Sequence, residues 1–266
     1  MRGNGPLALA FHTLVVIFVL APLAVVCLVA FTPGDTLALP VHGVSLRWFH
    51  AAFANDAFVA SFCNSLELAV LSATFSLALA VPAGLAIGRH RFAGRDVINA
   101  LFLSPLIVPH LVLGVALLRM FTLLGMTGSF AWLVASHVVI VTPYALRLVL
   151  ASVGGLDASV EHAALSLGAS RWTVLRRITL PLILPGVTGG WILAFVNSFD
   201  ELTLSIFVTT PATLTLPVRM YMYATESIDP MMAAVSALMI ALTAVTMLAI
   251  DRVYGLDKVL IGPQAH

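Results

Sequence analysis

Asp200 and Glu201 are adjacent carboxylates set far along an otherwise apolar stretch. An acid in hydrocarbon is costly, so residues of this kind usually face a transport route, a cavity or an ionic partner. Counted from Leu182, they lie roughly 27 Å up a helix axis, in the outer part of a bilayer. Neighbouring residues point about 100° apart on a helix, so both acids line one route only if the helix unwinds there. Two readings stand. Either at least one acid, with Asn197 beside it, helps to admit a cationic solute, or the acids form a structural ion pair with Arg119 or Arg219. Gly186, Gly189, Gly190 and Ser198 on the same segment are small or polar, as expected where helices pack closely or border a cavity.

Other chemistry is not visible. The chain has no GxxxxGK[ST] phosphate loop, its only lysine is Lys258, and it has neither HExxH nor a GxSxG elbow. Cys27 and Cys63 lack metal-ligand spacing and read as small hydrophobes. No cofactor or metal is called for. His110 and His137 fall within apolar stretches near Pro109 and Pro143, where a lone histidine usually serves as a hydrogen bond between helices, so neither is assigned a site. Glu67 reads as a capping or snorkelling acid, and Met120, Phe121 and Met220 to Tyr223 read as an interfacial belt. Any ATP hydrolysis that powers transport must therefore take place on another polypeptide.

The elements that position these residues follow from composition. Hydrophobic residues make up 61% of the 266 positions, charged residues 9%, and mean hydropathy is +1.06, so this is an all-α integral membrane protein. A net charge of +1 gives no reason to expect nucleic-acid binding. Six stretches are long enough to cross a bilayer, near 7–31, 64–88, 98–121, 131–150, 182–208 and 231–250, and the whole chain, 1–266, reads as one transmembrane domain. The first is too long for a signal peptide and reads as a retained helix. Pro105, Pro109, Pro143 and Pro185 are expected to kink their helices.

Basic residues set the orientation. With the N-terminus inside, the inner face holds Arg2, Arg89, Arg91, Arg95, Arg147, Arg171, Arg176, Arg177, Arg252 and Lys258, against Arg47, Arg119 and Arg219 outside. That asymmetry places both termini in the cytoplasm. Residues 32–63 then face out, with Ser45–Phe49 as a short interfacial helix anchored by Trp48, and 209–230 form an outer, turn-rich loop.

The longest cytoplasmic loop, 151–181, is amphipathic. Leu156, Val160, Ala163, Ala164 and Leu167 share one helical face. Asp157 or Ser159 caps the start, Glu161 lies in the first turn, and Gly168 ends the helix. Ser170 caps a second helix carrying Trp172, Leu175 and Ile178, and Pro181 opens the next span. The physics alone allows a helix resting on anionic headgroups or one that docks a soluble partner.

Ala163-Ala164-x3-Gly168-Ala169-Ser170, followed by Ile178-x-Leu180-Pro181, resembles the EAA loop of binding-protein-dependent ABC importer permeases. His162 stands where that family usually has the glutamate, with Glu161 one place earlier. Gly189-Gly190-Trp191, Asn197-Ser198-Phe199-Asp200-Glu201, Pro211 and Thr215–Met220 are similar to the spermidine/putrescine-type branch. The resemblance implies a six-helix permease with a coupling-helix elbow, non-catalytic, in the bacterial inner membrane. Glu161, His162, Ala163, Ala164, Gly168, Ala169 and Ser170 would then seat in an ATPase subunit. It further implies two copies of that ATPase, a second permease and an extracytoplasmic binding protein, with a polyamine as solute. The alternative is a stand-alone secondary transporter or channel that uses Asp200 or Glu201 for ion coupling.

Overall fold

The computed structural model describes residues 5–37 and 43–254; Arg2 and Lys258 of the orientation count lie outside them. Every regular element among these residues is helical: α1 Pro6–Val29, α2 Arg47–Ala54, α3 Asp56–Arg89, α4 Arg95–Leu103, α5 His110–Leu123, α6 Phe130–Gly154, α7 Ala158–Ser166, α8 Arg171–Val174, α9 Leu180–Phe199, α10 Ser205–Val208, α11 Leu216–Glu226 and α12 Met231–Tyr254. Five helical runs are long and apolar enough to cross a bilayer, and the α4–α5 pair supplies a sixth, broken one.

Five expectations about the elements change. The span expected at 64 begins at Asp56, because the Asn55 side chain accepts from the Ala57 and Phe58 amides and caps the start of α3. The span expected over 98–121 is bent by 100° between α4 and α5. A short 3₁₀ turn, Ser104–Leu106, precedes that break, and Pro105 and Pro109 withhold two backbone donors there. Pro143 and Pro185, by contrast, sit inside continuous helices. The expected helix from Ser170 is not separate from the next span, since α8 runs through a π turn, Leu175–Thr179, into α9, and Pro181 falls in the first turn of α9. The span expected to reach 208 stops at Phe199, and the loop expected over 209–230 contains α11.

The described residues divide into two compact units, one made of those up to 60 with 219–245, the other of 61–218 with 246–254. In the first, Trp48 is buried and its Nε1 donates to the Gly34 carbonyl at 3.0 Å. Trp48 therefore anchors α2 to its own chain, where the sequence predicts an anchor in the headgroups. Phe58 meets Tyr223 edge-on at 5.4 Å, and the Tyr223 hydroxyl donates to Asp229.

The second unit is organised around α6, whose side chains are largely buried. Small residues let its neighbours approach. A Cβ added to Gly84 or Gly88 of α3 would lie 2.6 Å from Val149 Cγ1 or 2.5 Å from Val153 Cγ1. One added to Gly186 of α9 would lie 2.6 Å from the Leu148 carbonyl oxygen, and one on Gly190 would lie 3.2 Å from that of Ala145. These are two small-xxx-small contacts on one helix, in which close backbone approach supplies the packing that lipid cannot drive. Gly186→Val should cost about 1–3 kcal/mol by overpacking, read as a lower thermal midpoint in detergent. An unchanged midpoint would mean that α9 shifts freely on α6.

Backbone groups between α10 and α11 are satisfied from α3. Asn64 Nδ2 donates to the Ala212 and Leu214 carbonyls at 3.2 and 3.1 Å, and Ser65 Oγ accepts from the Leu216 amide at 2.7 Å. Irregular backbone at membrane depth is tolerated only when paired in this way.

Candidate functional site

The elbow is built by three local devices. Asp157 Oδ1 accepts from the Ser159 amide at 2.8 Å and caps α7, and the Ser159 hydrogen bonds hold the Asp157 carboxyl below the usual carboxylate range. At the other end the Ala169 amide donates to the Ala164 carbonyl and the Gly168 amide to that of Leu165, both at 3.0 Å. This is the Schellman arrangement, and it needs the left-handed φ of +87° found at Gly168. Ser170 Oγ then accepts from the Thr173 amide at 3.2 Å and starts α8.

The face predicted from spacing is mostly uncovered by the chain itself. Leu156 and Ala164 are half-buried, but Val160 and Ala163 are exposed, and Leu167 is 89% exposed. Trp172, across the Gly168 turn, is 65% exposed. His162 and Ser170 also face outward, and Ala169 is half-buried. Glu161 does not join them. Its Oε1 accepts from the Thr179 hydroxyl at 2.6 Å and lies 3.3 Å from Arg89 Nη2. Arg89 enters the sequence reading only as an orientation charge and Thr179 not at all, because nothing linear connects residues on three separate elements.

The two acids part company where α9 ends. Asp200 is the C-cap residue, its amide donating to the Val196 carbonyl at 3.2 Å, and the next residues leave the helix. Asp200 is exposed, and among the described residues no basic nitrogen lies within 4 Å of its carboxylate. Asn197 is half-buried one turn earlier, donating to the Leu193 carbonyl at 2.7 Å. Glu201 is 9% exposed. Its Oε1 accepts from the Leu204 amide at 2.7 Å, and its Oε2 lies 2.9 Å from His110 Nδ1. The sequence offers Arg119 and Arg219 as ionic partners; the side chain found against Glu201 is that of His110, the first residue of α5 after the Pro109 break. The pair therefore ties two interrupted spans together.

His137 performs the bridging expected of a lone intramembrane histidine. Its Nδ1 lies 2.8 Å from Ser198 Oγ and its Nε2 3.0 Å from Ser205 Oγ, so one ring joins α6 to the helices on both sides of the acids. Phe195 and Phe199 stack 5.9 Å apart next to this network, with Phe62 edge-on to Phe199 at 6.0 Å. Polar groups at the break are thus either paired, as Glu201, His137, Ser198 and Ser205 are, or turned outward, as Asp200 is.

Comparison with known proteins gives the family and the fold. Residues 80–255 match the family described as binding-protein-dependent transport system inner membrane component. The chain is 30% identical over 239 residues to the spermidine/putrescine transport system permease protein PotC of Escherichia coli K12, covering 90% of each chain. It is 29% identical over 232 residues to the putrescine transport system permease protein PotI of the same organism, covering 84% of this chain and 82% of that one. In fold it is similar to a bacterial ABC transporter that imports the acidic polysaccharide alginate, with a TM-score of 0.69 at 16% identity over 95% of this chain and 96% of that one. The chain belongs to the binding-protein-dependent transport system inner membrane components, and it is a transmembrane permease of an ABC importer.

Proposed function

We propose that this permease carries a small organic cation of the polyamine class into the bacterial cytoplasm, driven by ATP hydrolysis on a separate subunit. The observation that carries the reading is the uncovered elbow. An apolar ridge of Val160, Leu165, Leu167 and Trp172 stands exposed at a turn fixed by Gly168, which suits a protein groove better than water. His162, Ala163, Ala164, Ala169 and Ser170 complete the docking surface. Two ATPase copies would grip this elbow and its counterpart on a second permease, and an extracytoplasmic binding protein would deliver the solute. The excess of basic residues on the loops assigned to the inner face supports cytoplasmic termini.

Solute choice follows from the relatives' substrates and from Asp200. Its carboxylate is exposed and free of a basic partner among the described residues, and Asn197 adds a polar group one turn away. Glu201 serves the route indirectly, by holding the broken end of α9 to α5.

The test is purification of the tagged chain from native membranes in mild detergent, with identification of what comes with it. An ATPase, a second permease and ATP-dependent uptake of a polyamine in proteoliposomes are expected. A chain recovered alone, with uptake driven by an ion gradient, would overturn the proposal.

A further inference from the structure

In a loop of this kind, an acid beside the alanine pair is expected to meet the ATPase. In this chain the acid is turned the other way. Glu161 Oε1 takes the Thr179 hydroxyl at 2.6 Å and lies 3.3 Å from Arg89 Nη2, with both charged side chains about one-fifth exposed. Arg89 is the last residue of α3, and its Nη1 also donates to the Leu156 carbonyl at 3.4 Å, between α6 and α7. Thr179 ends the π turn that leads into α9. One carboxylate oxygen therefore joins α3, α7 and α9, and the guanidinium that holds it also holds the end of α6.

The placement along α7 gives this joint a mechanical sense. Glu161 lies in the first turn, next to the capping Asp157, while the last turn carries the exposed Leu165 and leads to Leu167 and Gly168. One end of α7 is fastened to the membrane helices and the other presents exposed apolar side chains. From Thr179 to Asp200 the chain is helical almost throughout, roughly 31 Å of rod at 1.5 Å per residue. The π turn makes the fastening possible, since an extra residue in the turn changes which side chains face α7.

We infer that Glu161 is a positioning residue of the transport cycle: with Arg89 and Thr179 it forms an internal joint that passes displacement of the elbow to α3 and α9, and it makes no contact with the ATPase. This rests on the elbow being the ATPase-docking element. It assigns to Arg89, an orientation charge by sequence, the same mechanical duty as to Glu161. His162, exposed on the same turn, is the side chain left to meet a partner.

The experiment uses the complex purified with its ATPase, reconstituted in proteoliposomes. It reads copurified ATPase, ATP hydrolysis, and solute moved per ATP. Glu161→Gln keeps the size and an acceptor for Thr179 while removing the charge; Arg89→Gln and Thr179→Val test the other two corners. All three should retain the ATPase at wild-type stoichiometry, and the two charge variants should move about tenfold less solute per ATP. The Arg89→Gln/Glu161→Gln double variant should be no worse than either single one, because both remove the same link. A merely structural role would lower protein yield and leave solute per ATP unchanged, which overturns the inference. Loss of ATPase from Glu161→Gln but not from Arg89→Gln also overturns it, since Glu161 would then be an interface residue. If the unaltered chain brings down no ATPase, the docking reading itself has failed, and this result is seen before any variant is made.

Discussion

Asp200→Asn should lower polyamine uptake about tenfold or more while leaving the purified complex as heat-stable as the unaltered one. Glu201→Gln should do the reverse in order, losing stability first and uptake as a consequence. The two residues are neighbours in sequence and similar in chemistry, so the contrast comes from geometry alone. Asp200 is exposed at the end of α9 with no basic partner among the described residues, and replacing it by an amide removes charge without stranding a buried group. A tenfold loss corresponds to about 1.4 kcal/mol of attraction for a passing ammonium, modest for a carboxylate at the edge of a low-dielectric wall. Glu201 is buried, accepts a backbone hydrogen bond from Leu204 and faces His110. Hydrogen bonds to a charged acceptor are worth about 1.5–3 kcal/mol each, and loss of the charge leaves His110 and the α9 end less firmly held. Uptake assays in proteoliposomes and thermal unfolding of the same preparations check both halves. Equal uptake by Asp200→Asn and the unaltered chain would remove Asp200 from the route.

That division between the acids was only half legible in the sequence. Intramembrane charge marks Asp200 and Glu201 as special, and the 100° rotation between neighbours states the condition under which both could matter. The chain meets that condition by ending α9 at Phe199, yet it does so to separate the acids. Nothing linear announces this end: Leu202 to Val208 keep the segment apolar, and hydropathy reads straight through a helix stop. His110 was legible only as a histidine beside Pro109. Its partner lies 91 residues away, and only the 100° bend at that proline brings the ring to Glu201.

The elbow was more readable, because its devices are local. Asp157, Gly168 and Ser170 act on backbone groups within five residues, so cap and turn chemistry identifies them directly. The role of Glu161 was not readable, since whether a first-turn acid faces a partner or its own chain depends on Arg89 and Thr179. Pro181 misled for a related reason. It marks a helix start in most contexts, and here the π turn before it lets α8 and α9 run as one.

Gly168 carries the sharpest test of the elbow, because a side chain there meets a backbone problem and no steric one. A Cβ built on Gly168 has nothing within 4 Å, while its φ of +87° lies in the region that L-residues avoid. Alanine should cost about 1–2 kcal/mol in that conformation, and a β-branched residue more. Asparagine tolerates the left-handed region better than other side chains and should be the mildest change despite its size. Coupling, read as solute-stimulated ATP hydrolysis by the reconstituted complex, should therefore fall in the order Gly168→Asn, Gly168→Ala, Gly168→Val, with valine losing most of it while the chain remains inserted. If bulk against the ATPase groove were what mattered, damage would follow side-chain volume, with alanine the mildest change, asparagine next and valine the worst. The rank of alanine against asparagine thus separates a turn that must keep its shape from a surface that must keep its clearance. Full stimulation in all three variants would mean that the elbow does not transmit the ATPase stroke.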